Sequence, residues 1–398
     1  MPTLRILVIH CAYQLRGGED SVVESEVALL QQHGHDVKLW LKHNSDIDHM
    51  PRWQVALDTI WSRRSVQELK ARVADWRPDV IHVHNTSLVM SPSVLWAAHE
   101  LCIPVVQTLH NFRLSCLSAT FLRDGRVCED CLGHTPWEGI RHGCYRGSRV
   151  QSAVLASSIM VHRWRQTHPR TVQRFIALTA FARDKLVQAG LPGDRIRIKP
   201  NFVPKAPDTA ASPRRGALYV GRLSVEKGIN VLLEAVQKHQ LPVEDLLVLG
   251  TGPFEAATRQ ALGVRYRGHQ PLEEVLTCMH RASFLLLPSV CYEGFPRTVV
   301  EAFSRGLPVI ASRLGSMAEL IEHQRTGLLF TPGDSADLAR TVKWALDNPD
   351  NMAAMGENAR QVHQTHFTED RNHDLLVSIY QEAIAEAKPH APRNAGPQ

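Results

Sequence analysis

The sequence predicts an α/β fold of two doubly wound domains, each with a mostly parallel sheet. Short apolar segments, typical of strands buried on both faces, alternate with helical segments along the chain. The alternation restarts after residues 205–216, a segment rich in Pro, Ala and Ser that we interpret as a linker. A chain of 398 residues is also long for one hydrophobic core. We therefore expect an N-terminal domain over residues 1–204 and a C-terminal domain over residues 217–370.

In the N-terminal half, the predicted strands are short apolar runs that cover residues 4–9, 37–40, 79–85, 104–109 and 174–180. The predicted helices cover residues 21–30, 51–77, 93–100 and 181–190. Gly17 and Gly18 lie between the first strand and the first helix, where a backbone without side chains can approach a ligand closely. This loop lacks the Gly-x-Gly-x-x-Gly pattern, so we do not expect a dinucleotide site there.

Histidines mark the ends of two strands in this half. His82 and His84 share one face of their strand and could form a metal pair. No third ligand has a matching spacing, so ordinary strand-end histidines are favoured. His110 follows the strand at residues 104–109, at the carboxyl edge where open α/β sheets bind ligands. It could bind a ligand hydroxyl or move a proton, or it could be a half-buried histidine that the backbone satisfies.

Four of the eight cysteines cluster in an insertion at about residues 114–147, and they are Cys116, Cys128, Cys131 and Cys144. A Cys-x2-Cys knuckle with two flanking cysteines is typical of a structural tetrathiolate zinc site. The alternative is four reduced thiols in a loop. Because four protein ligands leave no open position, such a zinc ion would stabilise the insertion and take no part in chemistry.

Residues 139–183 form a basic segment that contains no Asp or Glu. Its eight arginines are Arg141, Arg146, Arg149, Arg163, Arg165, Arg170, Arg174 and Arg183. Trp164 and an apolar run at residues 153–156 lie among them, so the segment suits an anionic membrane surface or a diphosphate-bearing lipid. A solvated basic face is the alternative. We do not expect a nucleic-acid partner, because no nucleic-acid-binding motif accompanies the charge.

The bulk composition is that of an ordinary globular protein, with 44% hydrophobic and 21% charged residues and a net charge of +5. No apolar run approaches the ~18 residues that a membrane-spanning helix needs. The first residues enter a strand and lack the long apolar region of a signal peptide. We expect a cytoplasmic protein that associates peripherally with the inner face of the membrane.

In the C-terminal half, the predicted strands cover residues 217–220, 246–249, 264–268, 284–287, 307–311 and 326–330. One predicted helix ends at residue 235, and the others cover residues 272–279, 298–303, 335–347 and 368–387. Arg222 and Lys227 flank the turn after the strand at residues 217–220, and both side chains can reach one pyrophosphate. A pair of solvated loop cations is the alternative.

Two glutamates eight positions apart lie around the loop after the strand at residues 284–287. Glu293 lies in the loop, directly before Gly294, Phe295 and Pro296, and Glu301 lies in the helix that follows. Carboxylates at this spacing could hold the hydroxyls of a polyol on either side of a phosphate, which loop amides and the helix N-terminus would bind. The alternative is one solvated loop acid and one exposed helix acid.

The segment from Glu293 to Glu301 resembles the Glu-x7-Glu signature of retaining GT-B glycosyltransferases of family 4. Residues 221–228, Gly-Arg-Leu-Ser-Val-Glu-Lys-Gly, are similar to the diphosphate-binding loop of that family. Residues 108–113, Thr-Leu-His-Asn-Phe-Arg, resemble its active-site strand end.

The resemblance implies a role for each matching residue. His110, Arg222, Lys227 and Glu293 would form the catalytic centre. Arg222 and Lys227 would grip the donor diphosphate, while His110 and Glu293 would contact the transferred sugar. Donor-binding residues would be Gly17, Gly18, Gly294, Phe295, Pro296, Thr298 and Glu301, with Glu301 on the ribose. The family also implies the GT-B architecture, two Rossmann-like domains that face each other across a cleft.

As an activity, the resemblance implies transfer of a sugar from a nucleotide-diphosphate sugar to a polysaccharide or polyprenyl-linked acceptor, in cell-surface glycan biosynthesis and with retention of configuration. We expect no metal cofactor for catalysis, because no Asp-x-Asp-type pair follows a strand. The final helix, residues 371–388, is expected to pack on the N-terminal domain, and the polar tail at residues 389–398 to be disordered.

Other functions for the same architecture are a nucleotide-sugar epimerase or hydrolase, a phosphorylase, and a non-catalytic sugar-nucleotide-binding protein. A phosphorylase should carry a lysine for pyridoxal phosphate, and no such sequence context is visible. A non-catalytic protein should have lost Arg222, Lys227 or Glu293, and all three are present.

Overall fold

The computed structural model describes residues 2–14, 17–203, 213–242 and 244–387. The predicted linker at residues 205–216 falls largely outside this range, and the predicted disordered tail at residues 389–398 falls wholly outside it.

The N-terminal domain contains a six-stranded parallel sheet and a two-stranded hairpin. The eight strands are β1 (Arg5–Ala12), β2 (Asp36–His43), β3 (Val80–Val83), β4 (Val105–Leu109), β5 (Leu122–Arg123), β6 (Arg126–Val127), β7 (Arg174–Ala177) and β8 (Ile196–Ile198). The order in the large sheet is β2-β1-β3-β4-β7-β8, and β5 pairs with β6 antiparallel. Every residue of β3 and β4 is buried, as the continuous apolar runs require for strands covered on both faces.

The helices of this domain are α1 (Gly18–Gln32), α2 (Arg52–Ile60), α3 (Arg63–Asp75), α4 (Ser93–Glu100), α5 (Trp137–Arg141), α6 (Arg149–Trp164), α7 (Thr167–Thr171) and α8 (Ala180–Gln188). The single helix predicted at residues 51–77 is two helices. The break has a local cause, because Ser62 adopts an extended conformation and its side chain accepts a hydrogen bond from the backbone of Ser65, which starts α3.

The C-terminal domain contains a five-stranded parallel sheet in the order β10-β9-β11-β12-β13. Its strands are β9 (Ala217–Val220), β10 (Leu246–Leu249), β11 (Phe284–Leu287), β12 (Val309–Ser312) and β13 (Gly327–Phe330). The helices are α9 (Ile229–His239), α10 (Glu255–Leu262), α11 (Leu272–Arg281), α12 (Arg297–Ser304), α13 (Gly315–Leu320), α14 (Ser335–Asp347) and α15 (Pro349–His366).

These parallel sheets in two domains confirm the predicted fold class. The strand predicted at residues 264–268 is wrong, since Gly263–Arg265 forms a 3-10 turn and Tyr266 makes only an isolated bridge with Val248.

The last helix, α16 (Glu369–Ala387), packs on the N-terminal domain. Its apolar face buries Leu376 and Tyr380 against Ile6 and Val8 of β1. At its end, the Glu382 carboxylate accepts hydrogen bonds from Arg174 and Arg197 at 2.9 and 3.0 Å. The chain therefore returns to its first domain after completing the second.

The two domains also meet at the N-terminus of α8. The backbone N–H groups of Ala180 and Phe181 donate to the two oxygens of Glu319, on α13, at 2.8 and 2.7 Å. A carboxylate at this position satisfies free helical N–H groups and interacts favourably with the helix dipole. Among the described residues, no helix is both long and apolar enough to cross a membrane.

Candidate active site

The loop between β11 and α12 carries Glu293, and its carboxylate lies against Lys227. The Lys227 Nζ donates to both carboxylate oxygens, at 2.7 and 2.8 Å, and Ser289 Oγ donates to one of them at 2.7 Å. Burial would lower the pKa of Lys227, but the charge of Glu293 outweighs it and raises that pKa. Two residues that the sequence places in separate roles are therefore a bidentate ion pair in this structure.

Gly228 makes this pair possible. Its φ of +69° lies in the left-handed region, and a Cβ at this position would overlap the carbonyl oxygen of Pro288. The Val290 N–H donates to the Glu226 carbonyl at 3.1 Å, which joins the same two loops. The Arg222–Lys227 loop thus packs directly on the loop that carries Glu293.

His110 and the Glu293 loop meet across the domain boundary. A Cβ added at Gly294 would overlap the carbonyl oxygen of His110, so only glycine permits this approach. The Ser316 hydroxyl donates to the Gly294 carbonyl at 3.1 Å and fixes the loop from the other side. The structure therefore brings His110, Lys227 and Glu293 together at the facing edges of the two sheets.

The ring of His110 is held from behind by a second histidine. His84 Nδ1 lies 2.9 Å from His110 Nε2, and both rings are neutral because burial lowers both pKa values, that of His110 to about 3. On its other side, His84 Nε2 lies 3.5 Å from a carboxylate oxygen of Glu26. An ionised Glu26 favours a proton on His84 Nε2, and the proton shared by the two rings then belongs to His110 Nε2.

Glu26 is the buried anion of this network. Lys199 Nζ donates to it at 2.6 Å and also to Asn372 of α16 at 3.1 Å. Burial would raise the pKa of Glu26, but the charge of Lys199 outweighs it and lowers that pKa, so the Glu26 carboxylate is ionised at neutral pH. A series of side-chain contacts therefore runs from Asn372 through Lys199, Glu26 and His84 to the His110 ring.

Glu26 also supplies the third ligand that the sequence did not reveal for His82 and His84. Among the described residues, this trio has ligand atoms that all lie within 4.8 Å of one another. Each of the three residues already has a protein partner, since Lys199 binds Glu26 Oε1, Tyr380 OH lies 2.7 Å from His82 Nδ1, and His84 Nδ1 pairs with His110. The trio therefore forms a protein hydrogen-bond network, and the sequence-based preference for ordinary strand-end histidines agrees with these contacts.

The Gly17–Gly18 loop lies beside the same strand end. Asn111 Nδ2 donates to Tyr13 OH at 3.2 Å, and Tyr13 OH donates to Glu19 at 2.8 Å. The Gly17 N–H donates to Asp20 at 2.7 Å, and nothing lies within 4 Å of a Cβ placed on Gly18. The start of α1 therefore presents an open glycine, and Tyr13 connects this helix start to Asn111, the residue after His110.

Adjacent carboxyl groups in this loop have opposite pKa shifts. Burial raises the pKa of Glu19 to about 7, and the nearby His10 opposes this rise. Asp20 is buried too, but hydrogen bonds from His10 and Gly17 outweigh the burial and lower its pKa. Sequence reasoning missed both residues, since an acidic pair in the first turn of a helix usually serves only the helix dipole.

Arg222 lies in the loop after β9, and Glu301 lies in α12. The Arg222 side chain is exposed and makes no ion pair or hydrogen bond among the described residues. Glu301 is only 8% exposed, 3.2 Å from Arg297 Nε, and burial raises its pKa against the charges of Arg297 and Arg305. The alternative of an exposed helix acid for Glu301 is therefore wrong.

The remaining residues of the predicted donor site lie at the start of α12. Pro296 precedes the helix and is buried, and Thr298 is half-buried in its first turn. Phe295 packs against a core cluster of each domain. It therefore anchors the loop at the junction of the two domains.

The cysteine-rich insertion contains the β5–β6 hairpin and α5. All four clustered cysteines are free thiols, and they line one small cavity together with Leu117, Ser118, Leu122, Arg123 and Gly139. Among the described residues, no three of these sulfur atoms lie within 4.8 Å of one another.

The arginines of residues 139–183 do not form one uniform basic face. Arg174 binds Glu382 and Glu386 of α16, and Arg163 donates to the backbone of Leu114 and His134. Arg149 and Arg170 are exposed.

Comparison with known proteins assigns the family. The model for "Glycosyl transferase 4-like domain" matches residues 17–201, and that for "Glycosyl transferases group 1" matches residues 206–362. The glycogen synthase of Mycobacterium tuberculosis (strain CDC 1551 / Oshkosh) is 30% identical over 329 residues, which are 78% of this chain and 71% of that protein. This chain belongs to the group 1 glycosyltransferases.

Solved structures of glycosyltransferases share its fold. The sucrose-phosphate synthase of Thermosynechococcus elongatus superposes with a TM-score of 0.70 at 19% identity, over 96% of this chain and 100% of that one. Anabaena HepE, solved in complex with UDP-glucose, superposes with a TM-score of 0.62 at 18% identity, over 96% and 98% of the two chains. The chain thus shares the GT-B fold of these glycosyltransferases.

Proposed function

We propose that this glycosyltransferase transfers a hexosyl group from a nucleotide-diphosphate sugar to a glycan or polyprenyl-linked acceptor, with retention of configuration and without a catalytic metal. The observation that carries the proposal is the Lys227–Glu293 ion pair, placed against the His110 carbonyl through Gly294. A cation for phosphate and a carboxylate for sugar hydroxyls lie at one point of the cleft. The complex of HepE with UDP-glucose supports a donor of this class.

Donor binding would divide this ion pair. A diphosphate competes with Glu293 for Lys227 Nζ. Each Glu293 oxygen that loses its hydrogen bond to Lys227 can then accept one from a sugar hydroxyl. The exposed guanidinium of Arg222 is available to the same diphosphate. As the glycosyl bond breaks, negative charge grows on the leaving phosphate, and fixed cations stabilise it without a metal.

His110 contributes its carbonyl and its neutral ring. Because its pKa is about 3, the ring carries no positive charge at neutral pH. Its Nε2 is engaged by His84, so Nδ1 is left to accept a hydrogen bond. His110 therefore orients a hydroxyl, and the leaving phosphate takes the acceptor proton, as retention by front-face attack requires.

The acceptor would enter from the N-terminal domain. A cleft of about 1530 Å³, its open mouth included, adjoins His110 and is lined by apolar side chains such as Leu155 and Ile159 and by Arg113 and Arg163. Apolar walls with two guanidinium groups suit a glycan that carries a polyprenyl diphosphate.

Peripheral membrane binding would use α2 and α6, which pack against each other. Trp53 and Leu57 on α2 are 68% and 58% exposed, and Val150 and Trp164 on α6 are 75% and 81% exposed. Exposed tryptophans beside basic residues suit the interface of an anionic membrane. These four side chains, rather than the arginine count alone, support the inner face of the membrane as the site of action.

The proposal is tested by incubating the purified protein with UDP-, GDP- and ADP-sugars, with and without a glycan or polyprenyl-linked acceptor, and measuring release of the nucleoside diphosphate. We expect acceptor-dependent turnover with one nucleotide class in the wild type and strongly reduced turnover in Glu293→Gln. Free sugar that forms at the same rate with and without acceptor would indicate a hydrolase or epimerase. Binding of the donor without turnover would indicate a non-catalytic protein. Either result would overturn the proposed function.

A further inference from the structure

We propose that Cys116, Cys128, Cys131 and Cys144 bind one structural zinc ion, and that the Cys-x2-Cys knuckle thereby holds the donor loop in place through Glu129. The metal site stands on the insertion itself. Its effect on the donor loop rests on the function proposed above.

Three separate segments converge on the cysteine cavity. Cys116 comes from the loop after β4, Cys128 and Cys131 from the turn after β6, and Cys144 from the segment after α5. The turn is closed by hydrogen bonds from Leu132 N to Glu129 O and from His134 N to Cys131 O, at 2.8 and 3.2 Å. A turn of this kind presents two sulfur atoms to one point, as zinc knuckles do.

The insertion has little apolar core of its own. Beside the cysteines, the buried cluster here contains Leu117 with Leu155 and Ala156 of α6. A segment with so small an apolar core of its own gains stability from a covalent or metal crosslink. All four thiols are free, and soft thiolate ligands in a set of four select zinc or iron over harder cations. Zinc would draw the sulfur atoms closer than they lie here, and each thiol would release its proton to solvent.

Glu129 lies between the two cysteines of the knuckle and faces the other domain. Tyr292 OH donates to it at 2.7 Å, and Lys185 Nζ donates to it at 2.9 Å. The Tyr292 N–H donates to the Thr120 carbonyl of the same insertion at 3.1 Å. Since Tyr292 precedes Glu293, the insertion fixes the residue next to the donor carboxylate by its side chain and by its backbone.

An aromatic cluster completes the contact. The Tyr292 ring packs edge-to-face on Phe121 of the insertion and on Phe181 of α8, with centroids 5.8 and 4.7 Å apart. Each such pair stabilises the contact beyond the effect of the area that it buries. Glu129 is therefore a positioning residue, which acts on Glu293 through Tyr292.

Metal content of the purified protein tests the zinc site. Mass spectrometry of metals should find ~1 zinc per chain in the wild type and in the control Cys102→Ser, whose cysteine is exposed and lies outside the cluster, and ~0.1 or less in Cys128→Ser/Cys131→Ser. A wild type without zinc, with all four cysteines reacting with a thiol reagent under native conditions, would overturn the site, as would iron in place of zinc. These wild-type measurements decide the matter even if the double variant does not fold.

Kinetics test the coupling to the donor loop. Glu129→Ala should keep its zinc and lose ~10-fold in kcat/KM for the donor while the acceptor KM stays constant, and Glu129→Gln should recover most of the loss because its amide oxygen still accepts from Tyr292. Glu138→Ala is the matched control, because Glu138 is a half-buried acid of the same insertion whose carboxylate pairs with the neighbouring Arg141 and His142. Equal activity of Glu129→Ala and Glu138→Ala would overturn the coupling alone. A wild type that holds zinc but transfers no sugar would overturn the proposed function alone.

Discussion

His84 Nδ1 lies 2.9 Å from His110 Nε2, so the histidine that follows β4 is oriented by a second histidine one strand away. Behind His84, the Glu26–Lys199 pair supplies a buried charge that favours one tautomer of both rings. The ring of His110 therefore offers Nδ1 as an acceptor, and its position depends on residues far from the cleft in sequence.

Replacing His84 should lower kcat more than it raises the donor KM. In His84→Asn the His110 ring loses its fixed partner, and a misoriented hydroxyl costs mainly transition-state stabilisation. We expect kcat to fall ~10-fold, or ~1.4 kcal/mol. Steady-state kinetics with saturating acceptor measure both constants, and His82→Asn is the control, because His82 bonds Thr108 and Tyr380 instead of His110. Equal losses in the two variants would contradict this role.

Local sequence patterns predict the positions of His110 and Glu293 after the carboxyl ends of two strands. Each follows an apolar run that forms a fully buried strand, and strand ends of parallel sheets meet at one edge. The same rule places the Gly17–Gly18 loop at this edge. This rule predicts where a residue lies along the edge of the sheet, but it does not predict which residue its side chain contacts.

Partners across long sequence separations could not be predicted. Lys227 and Glu293 are 66 residues apart, and Lys199 and Glu26 are 173 apart, so no periodicity relates them. Glu129 reads as a solvated acid until the second domain places Tyr292 on it. Helix α6 was not predicted, because its arginines suggested a charged surface segment while its buried residues are largely small, such as Ser152, Ala156 and Ser158.

Gly294 and Gly18 should respond differently to the same substitution. Gly294→Ala places a Cβ against the His110 carbonyl and should abolish most activity and lower the Tm. Gly18→Ala meets no atom within 4 Å and starts a helix, so its Tm should equal or exceed that of the wild type. If the donor or the acceptor approaches Gly18 closely, the KM for that ligand should rise in Gly18→Ala while kcat stays unchanged. Thermal denaturation and kinetics on both variants check this, and a fully active Gly294→Ala would contradict the contact.

Glu19 should make stability fall as pH rises. Its pKa is raised from 4.5 to about 7, so the stabilisation is present below pH 4.5 and is lost as pH rises toward 7. Glu19→Gln removes this titration. As pH rises through this window, the free energy of unfolding of the variant should therefore increase relative to that of the wild type, by on the order of a few kcal/mol. Denaturant unfolding at several pH values measures the difference.

Asp20→Asn is the opposite case and serves as the control. The pKa of Asp20 is lowered below 3.8, so its contribution is present above that pH and is lost in acid. The variant should therefore be less stable than the wild type at neutral pH, with the difference shrinking as pH falls below 3.8. Parallel curves for Glu19→Gln and the wild type would contradict the buried-acid assignment of Glu19.

The two glutamates of the donor loop should affect different kinetic constants. Glu293 would contact the transferred sugar, whose bonds change in the reaction, so Glu293→Gln should lower kcat with a modest change in donor KM. Glu301 would hold the ribose, which does not change, so Glu301→Gln should mainly raise the donor KM. Initial rates over a range of donor concentrations separate the constants. The reverse pattern would exchange the two roles.

Titration calorimetry with the nucleoside diphosphate tests the central claim most directly, since it needs neither sugar nor acceptor. We predict that the wild type binds the diphosphate of its donor and that Arg222→Ala and Lys227→Ala each weaken this binding by ~10-fold or more, as loss of a charge-assisted contact of ~1.5–3 kcal/mol requires. Glu293→Gln should bind as tightly as the wild type or tighter, because Lys227 is then free of its carboxylate partner. If Arg222→Ala and Lys227→Ala bind the nucleotide like the wild type, the diphosphate does not lie at the Lys227–Glu293 pair, and the proposed donor site is wrong.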